Sequence, residues 1–106
     1  KKTRFLFHVK TELGLSNVQL ENNRVEAYQP AQKYQAVISR AFASIADMAR
    51  ACRHLLAEDG QFLAMKGVYP QTELEEAAGL CQLMRSIRLQ VPEEDGERHL
   101  LQLLPV

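Results

Sequence analysis

The chain has 106 residues, 46% of them hydrophobic and 25% charged, which is the composition of an ordinary globular domain with a modest core. Thirteen Lys and Arg residues balance thirteen Asp and Glu residues, so net charge alone indicates no polyanionic partner. The two cysteines are far apart and the histidines are not clustered, which argues against a metal site and for reduced thiols. We expect one cytoplasmic domain over residues 1–106, with no membrane span and no metal. Because the chain opens without an initiator methionine, we also expect it to be part of something longer.

The first part of the chain predicts a helix followed by a weak strand. Apolar residues recur at helical spacing across residues 4–13, and Gly14 follows as a left-handed C-terminal cap. Residues 17–20 predict a short strand. A polar loop at 21–24 and a linker at 28–35 come next. The organisation is therefore helix, weak strand and linker before the first strong strand.

A strand that ends in a cation is the most informative segment. Ala36, Val37 and Ile38 predict a buried strand, and Arg40 follows its carboxyl end just before a helix begins. Ligands of open α/β sheets bind beyond the carboxyl ends of the strands. We therefore interpret Arg40 as a site residue.

The next segment predicts a helix and a second strand that ends in a cation. Ser44 has the position of an N-cap, and we expect the helical segment to end at Gly60. Its apolar stripe consists of Ile45, Met48, Ala49, Cys52, Leu55 and Leu56. Residues 62–65 predict a buried strand and Lys66 follows, so Arg40 and Lys66 are expected to share one rim of the sheet.

The last third predicts a short helix and an antiparallel hairpin. Thr72 and Glu75 form the pattern of a capping box for a helix that runs through Leu80. Residues 84–91 and 98–104 are typical of two strands separated by a polar turn. The fold class is therefore α/β with a C-terminal antiparallel hairpin.

Five segments together resemble the bacterial 16S ribosomal RNA guanine-N7 methyltransferases, the family long called glucose-inhibited division protein B. They are KKTRFL (1–6), RVEAY (24–28), VISRAFAS (37–44), FLAMKG (62–67) and LQVPEEDGERHLL (89–101), in the order seen in the C-terminal part of that family. The resemblance implies S-adenosyl-L-methionine-dependent methylation of guanine N7, with 16S ribosomal RNA or the small ribosomal subunit as partner. It also implies a partial class I (Rossmann-like) methyltransferase sheet whose first two strands are absent from these residues.

The resemblance also implies roles for individual residues. Val25 and Glu26 fall where the family contacts the adenine end of the cofactor, and a carboxylate there can accept a hydrogen bond from an exocyclic amine. Arg40 resembles a cofactor-site arginine. Basic positions aimed at RNA phosphates or at the O6 edge of guanine are matched by Arg24, Lys66 and Arg98. Without the resemblance, charged residues such as these are most often plain surface groups.

The implied chemistry requires no catalytic base, because guanine N7 has a free lone pair and loses no proton on methylation. We therefore assign no catalytic residue and expect His99 to be structural or RNA-facing. In the resembled family the absent strands carry the glycine-rich turn that holds the cofactor, so we expect this segment alone to bind it poorly. A second hypothesis needs no catalysis: an α/β module that binds RNA or protein through its basic rim.

Overall fold

A computed structural model describes residues 2–21, 24–40, 43–90, 92 and 96–106 as a mixed α/β fold. Four strands form one sheet in the order β1-β2-β4-β3. In chain order, the elements are α1 (Lys2–Leu13), a 3-10 turn (Val25–Ala27), β1 (Tyr34–Ser39), α2 (Ile45–Cys52), a 3-10 turn (Arg53–Leu55), β2 (Leu56–Lys66), α3 (Gln71–Glu76), β3 (Cys81–Arg88) and β4 (His99–Pro105).

The sheet combines parallel and antiparallel pairing. β1 and β2 are parallel, with Val37 opposite Phe62, and the crossover between them runs through α2. β4 lies antiparallel between β2 and β3, with Leu101 opposite both Ala64 and Ser86. The predicted C-terminal hairpin is confirmed, with β3 starting three residues earlier than expected and β4 starting one residue later.

The core lies between α2 and one face of the sheet. The Ser44 side chain accepts a hydrogen bond from the Asp47 amide at 3.1 Å, so the predicted N-cap is confirmed. Every residue of the predicted apolar stripe is buried. The stripe packs with Phe62 of β2 and with Leu101 and Leu103 of β4, whose side chains point to the same face because strand side chains alternate. The sheet therefore packs against α2 along this face.

α2 ends earlier than the sequence predicts. The helix stops at Cys52, and β2 already begins at Leu56, so the predicted helix end at Gly60 is wrong. Gly60 instead lies inside β2, where an added Cβ would come within 2.9 Å of the Tyr34 carbonyl oxygen of β1. Glycine is required there because the two backbones approach closely, next to the register shift between Tyr34 and Ala36.

α1 forms and ends as predicted. Gly14 has φ of +64°, and the amides of Gly14 and Leu15 donate to two carbonyls of the last turn, at 3.2 and 3.0 Å. This double hydrogen bond is a Schellman cap. Phe5, Phe7 and Leu13 are nevertheless 62–67% exposed, so the described residues leave much of this helix's apolar surface uncovered.

Residues 17–20 form no strand, so that prediction is wrong. A strand needs a neighbour that takes up its backbone hydrogen bonds, and within the described residues the sheet consists of β1 to β4. Val18 and Leu20, the two apolar residues that alternate in this segment, are both half-buried, although the segment pairs with no strand.

β1 is an edge strand with an open outer face. The prediction of a strand across residues 36–38 is confirmed, but its burial is wrong: Val37 packs against the core, whereas Ala36 is exposed and Ile38 is 61% exposed. Among the described strands, β1 pairs with β2 alone.

α3 is shorter than predicted and is capped differently. Pro70 occupies the N-cap position without a side-chain hydrogen bond, and Thr72 lies inside the helix, so the predicted capping box is wrong. The helix ends at Glu76 rather than at Leu80. Its third residue, Glu73, points towards α2 and β2 instead of solvent.

Candidate functional site

One edge of the sheet collects three cationic residues. Parallel strands β1 and β2 end there, at Ser39 and Lys66, whereas antiparallel β4 begins there at His99. Arg40 and Arg98 lie just outside the strand ends. These elements enclose a cleft of about 430 Å³, here called the basic cleft, lined by Arg40, Met65, Lys66, Gly67, Leu89, Arg98 and His99. Arg40 and Lys66 also line a narrow recess against the start of α2, so the expected shared rim is confirmed.

Lys66 is held by a carboxylate that the sequence analysis did not select. Glu73 Oε1 of α3 lies 2.8 Å from Lys66 Nζ, and the same oxygen accepts a hydrogen bond from the Ile45 amide at 3.1 Å. The side chains of Lys66 and Glu73 are 17% and 29% exposed. A single oxygen therefore joins the end of β2 to the first residue of α2.

His99 contacts the segment that follows β2. Its Nδ1 lies 2.7 Å from the Gly67 carbonyl oxygen, and its ring meets Tyr69 edge-on with centroids 5.9 Å apart. Because a carbonyl oxygen only accepts hydrogen bonds, Nδ1 carries the proton in this contact. The structure thus gives His99 a structural contact at the wall of the basic cleft.

The two arginines of the cleft differ in setting. Arg98 is half-buried and donates to the Glu97 carbonyl oxygen at 3.1 Å. Arg40 is exposed at the end of β1. A guanidinium has five donors in a fixed plane, so either side chain can bind a phosphate or carboxylate in two-point fashion.

The other predicted site residues lie elsewhere. Val25 packs against the core and Glu26 is exposed, both on the 3-10 turn beside α2, with exposed Arg24 just before it. The turn lies beside the C-terminal end of α2, because the carbonyl oxygen of Tyr28, which follows the turn, accepts a hydrogen bond from His54 Nε2 at 2.9 Å. Burial and, to a smaller extent, the Glu26 charge raise the pKa of the Cys52 thiol. Arg40 lies beyond the first residue of α2, about 12 Å away along an eight-residue helix. The described residues that line the basic cleft do not include Arg24, Val25 or Glu26.

A tyrosine pair fixes the linker before β1. The hydroxyl oxygens of Tyr28 and Tyr34 are 3.2 Å apart, and this hydrogen bond is the main cause that raises the pKa of Tyr28 to about 12. The Tyr28 carbonyl oxygen also accepts a hydrogen bond from His54 Nε2 at 2.9 Å. Both tyrosines are therefore engaged in tertiary contacts next to β1.

The described ranges contain no group of three or more His, Cys, Asp and Glu residues that could hold a metal ion. Within the same ranges, no helix combines the length and the apolar character needed to cross a bilayer.

Comparison with known proteins identifies the family. The family described as GidB, rRNA small subunit methyltransferase G, matches residues 1–101. The ribosomal RNA small subunit methyltransferase G of Cellvibrio japonicus is 60% identical over 105 residues, which are 99% of this chain and 48% of that protein. Its counterparts in Saccharophagus degradans and Chromobacterium violaceum are 52% and 46% identical, over 97% and 98% of this chain and 46% and 50% of their own lengths. The chain spans about half the length of these curated relatives. It therefore belongs to the GidB family of rRNA small subunit methyltransferases and corresponds to the C-terminal part of its members.

Proposed function

We propose that this chain is the C-terminal part of an enzyme that transfers a methyl group from S-adenosyl-L-methionine to guanine N7 of 16S ribosomal RNA. The observation that carries the proposal is the convergence of Arg40, Lys66 and Arg98 in the basic cleft. The cleft lies at the carboxyl ends of β1 and β2, where α/β sheets bind their ligands. The printed names of the relatives support the reaction class and the kind of RNA.

The open edge of the sheet supports a partial class I methyltransferase fold. In the resembled sheet the two absent strands lie between the third and fourth strands, and β1 corresponds to the fourth. Among the described strands, β1 pairs on one side only and exposes Ile38 on its outer face. α1 is a second place with exposed apolar side chains, among them Phe5 and Phe7. We propose that the remaining half of a family member covers both, because unpaired edges and apolar surface are costly in water.

The RNA-facing residues are proposed from the basic cleft and its surroundings. Arg98 and Lys66 both line the basic cleft. We assign the RNA contact to Arg98, because a guanidinium can bind a phosphate or the O6 and N7 edge of guanine, whereas the Lys66 ammonium is already paired with Glu73. Arg24 is exposed and outside the cleft, so we assign it to the RNA backbone rather than to the target base.

The proposed cofactor residues are Val25, Glu26 and Arg40. Val25 and Glu26 lie outside the basic cleft that Arg40 lines, so the described residues alone do not bring the three proposed cofactor residues into one pocket. Cofactor binding would then depend on the remaining half of a family member. We expect isothermal titration of the 106-residue chain to show little binding of S-adenosyl-L-methionine, and tight, saturable binding would contradict this.

The proposed reaction relies on positioning rather than on a base. S-adenosyl-L-methionine, when bound, would supply an electrophilic sulfonium methyl group. The N7 lone pair would form the new bond as the sulfur–methyl bond breaks, S-adenosyl-L-homocysteine would leave, and no proton would have to be removed. His99 is accordingly not needed as a base, and its Nδ1 proton is engaged with the Gly67 carbonyl. The part played by this chain is to hold the guanine and its phosphates in line for transfer, which can lower the barrier by several kcal/mol.

The test uses a completed fusion, in which the remaining half of the Cellvibrio japonicus relative precedes this chain. The fusion is incubated with S-adenosyl-L-methionine and small ribosomal subunits, and N7-methylguanosine is quantified in the digested 16S RNA by mass spectrometry. We expect methyl transfer, and about a tenfold or larger loss of kcat/KM for Arg40→Gln and Arg98→Gln. Arg85→Gln is the matched control, because Arg85 is exposed on β3 and does not line the basic cleft; it should stay within about twofold of the parent.

The alternative is a module that binds RNA or protein without catalysis. A folded fusion that binds ribosomal RNA through Arg98 but forms no N7-methylguanosine would favour that alternative and overturn the proposed reaction.

A further inference from the structure

The ion pair beside the basic cleft points to a role for Glu73. We propose that Glu73 is a positioning residue that neutralises and fixes Lys66, so that Lys66 shapes the basic cleft and does not neutralise an RNA phosphate. This inference rests on the proposed function in taking RNA as the ligand, and it decides which cations of the cleft bind the RNA backbone.

The geometry of the pair favours a lasting contact. The 2.8 Å separation of Glu73 Oε1 and Lys66 Nζ is that of a charge-assisted hydrogen bond. The Lys66 side chain is only 17% exposed, so the pair is less screened than an ion pair on the open surface. A phosphate that competed for Lys66 would have to displace a carboxylate already in place.

Glu73 has a second reason to stay where it is. The Ile45 amide belongs to the first turn of α2, whose amides have no partners inside the helix. Glu73 Oε1 accepts that hydrogen bond at 3.1 Å, and a negative charge is stabilised at a helix N-terminus. Moving Glu73 away to release Lys66 would therefore also deprive the Ile45 amide of this partner.

Through these two contacts, Glu73 connects three elements around the basic cleft. It joins α3 to the end of β2 and to the start of α2, and both of these elements border the recess that contains Arg40. The charges of Glu73 and Lys66 sum to zero, so the pair adds no net positive charge to the basic cleft. Lys66 is thereby assigned to the framework of the site.

The salt dependence of RNA binding tests this assignment. Each phosphate that a protein neutralises on single-stranded RNA changes the slope of log K against log salt by about 0.7. The 106-residue chain is titrated with a short fluorescein-labelled single-stranded RNA over a range of salt concentrations, and circular dichroism verifies the fold of each variant.

The expected slopes differ between variants. Lys66→Gln should leave the slope of the parent unchanged. Glu73→Gln should make it steeper by about 0.7, because Glu73 then no longer neutralises the Lys66 ammonium, while the glutamine oxygen still accepts from the Ile45 amide. The double variant should return to the parental slope. A merely structural role of Glu73 would weaken binding without changing the slope.

The opposite pattern would overturn the inference: a slope shallower by about 0.7 for Lys66→Gln and an unchanged slope for Glu73→Gln would make Lys66 a phosphate contact. Absence of RNA binding by the folded parent and by the completed fusion would contradict the proposed function instead. Thermal unfolding then tests the pair by itself. We expect the double variant to lose less in Tm than the sum of the two single variants, and strictly additive losses would overturn the role of Glu73.

Discussion

Ile38 marks the sheet face that the remaining half of a family member is proposed to cover, so Ile38→Ala should act differently in the isolated chain and in the completed fusion. The substitution removes three carbon atoms, worth about 2.4 kcal/mol in the free energy of unfolding if fully buried, at about 0.8 kcal/mol each. Ile38 is 61% exposed in this chain, so only about two-fifths of that, roughly 1 kcal/mol, should be lost. If an element of the other half packs on this face and covers Ile38, the cost should rise to about 2–5 kcal/mol.

Urea unfolding followed by circular dichroism measures how much Ile38→Ala lowers the free energy of unfolding in each of the two proteins. The isolated chain and the completed fusion are each compared with their Ile38→Ala variants. Leu101→Ala is the matched control, because Leu101 is 0% exposed at the centre of β4 and should cost about 2–5 kcal/mol in both backgrounds. The informative quantity is the extra cost of Ile38→Ala in the fusion.

One result would refute the reasoning. If Ile38→Ala costs the same roughly 1 kcal/mol in the fusion as in the isolated chain, the outer face of β1 stays exposed in the completed protein. The proposal that the remaining half of a family member covers this face would then be incorrect.

Three further predictions concern local features of the fold. Ser44→Ala removes the side-chain cap of α2 and should lower the free energy of unfolding by about 1 kcal/mol in urea titrations. Ser44→Asp should retain most of the stabilisation by the cap, because aspartate also accepts the hydrogen bond from the Asp47 amide. Gly60→Ala brings a Cβ within 2.9 Å of the Tyr34 carbonyl oxygen and should lower Tm by several degrees; an unchanged Tm would show that β1 can move aside. Burial raises the pKa of the Cys52 and Cys81 thiols above 9.0, so both should react with a disulfide reagent only on unfolding. The unfolded chain then loses these protons at a lower pH than the folded chain, so the free energy of unfolding should fall as pH rises above about 9. A free energy of unfolding that is equally flat against pH in the unsubstituted chain and in the Cys52→Ala, Cys81→Ala double variant would contradict the raised pKa values.

The local features that the sequence predicted depend on residues close together in the chain. The Ser44 cap, the Gly14 cap and the apolar stripe of α2 each need only neighbours within a few positions, and each is present. The errors arise where two structures satisfy one pattern. Leu55 and Leu56 continue the helical stripe, but they also face the same core from a 3-10 turn and the start of β2, so periodicity could not locate the end of α2.

The amino-acid sequence was enough to predict the α/β class, the C-terminal hairpin and the family. It also predicted the shared rim of Arg40 and Lys66, because the carboxyl ends of parallel strands meet at one edge of a sheet. Which groups those cations contact depends on tertiary packing. Glu73 accepts a hydrogen bond from the Ile45 amide, which is 28 positions away in the sequence, and the same oxygen pairs with the Lys66 ammonium. No local pattern specifies such contacts. The tertiary structure also kept Glu26 out of the cleft that Arg40 lines. It left Ile38 exposed, because burial depends on which elements lie next to a strand and not on the residues within it.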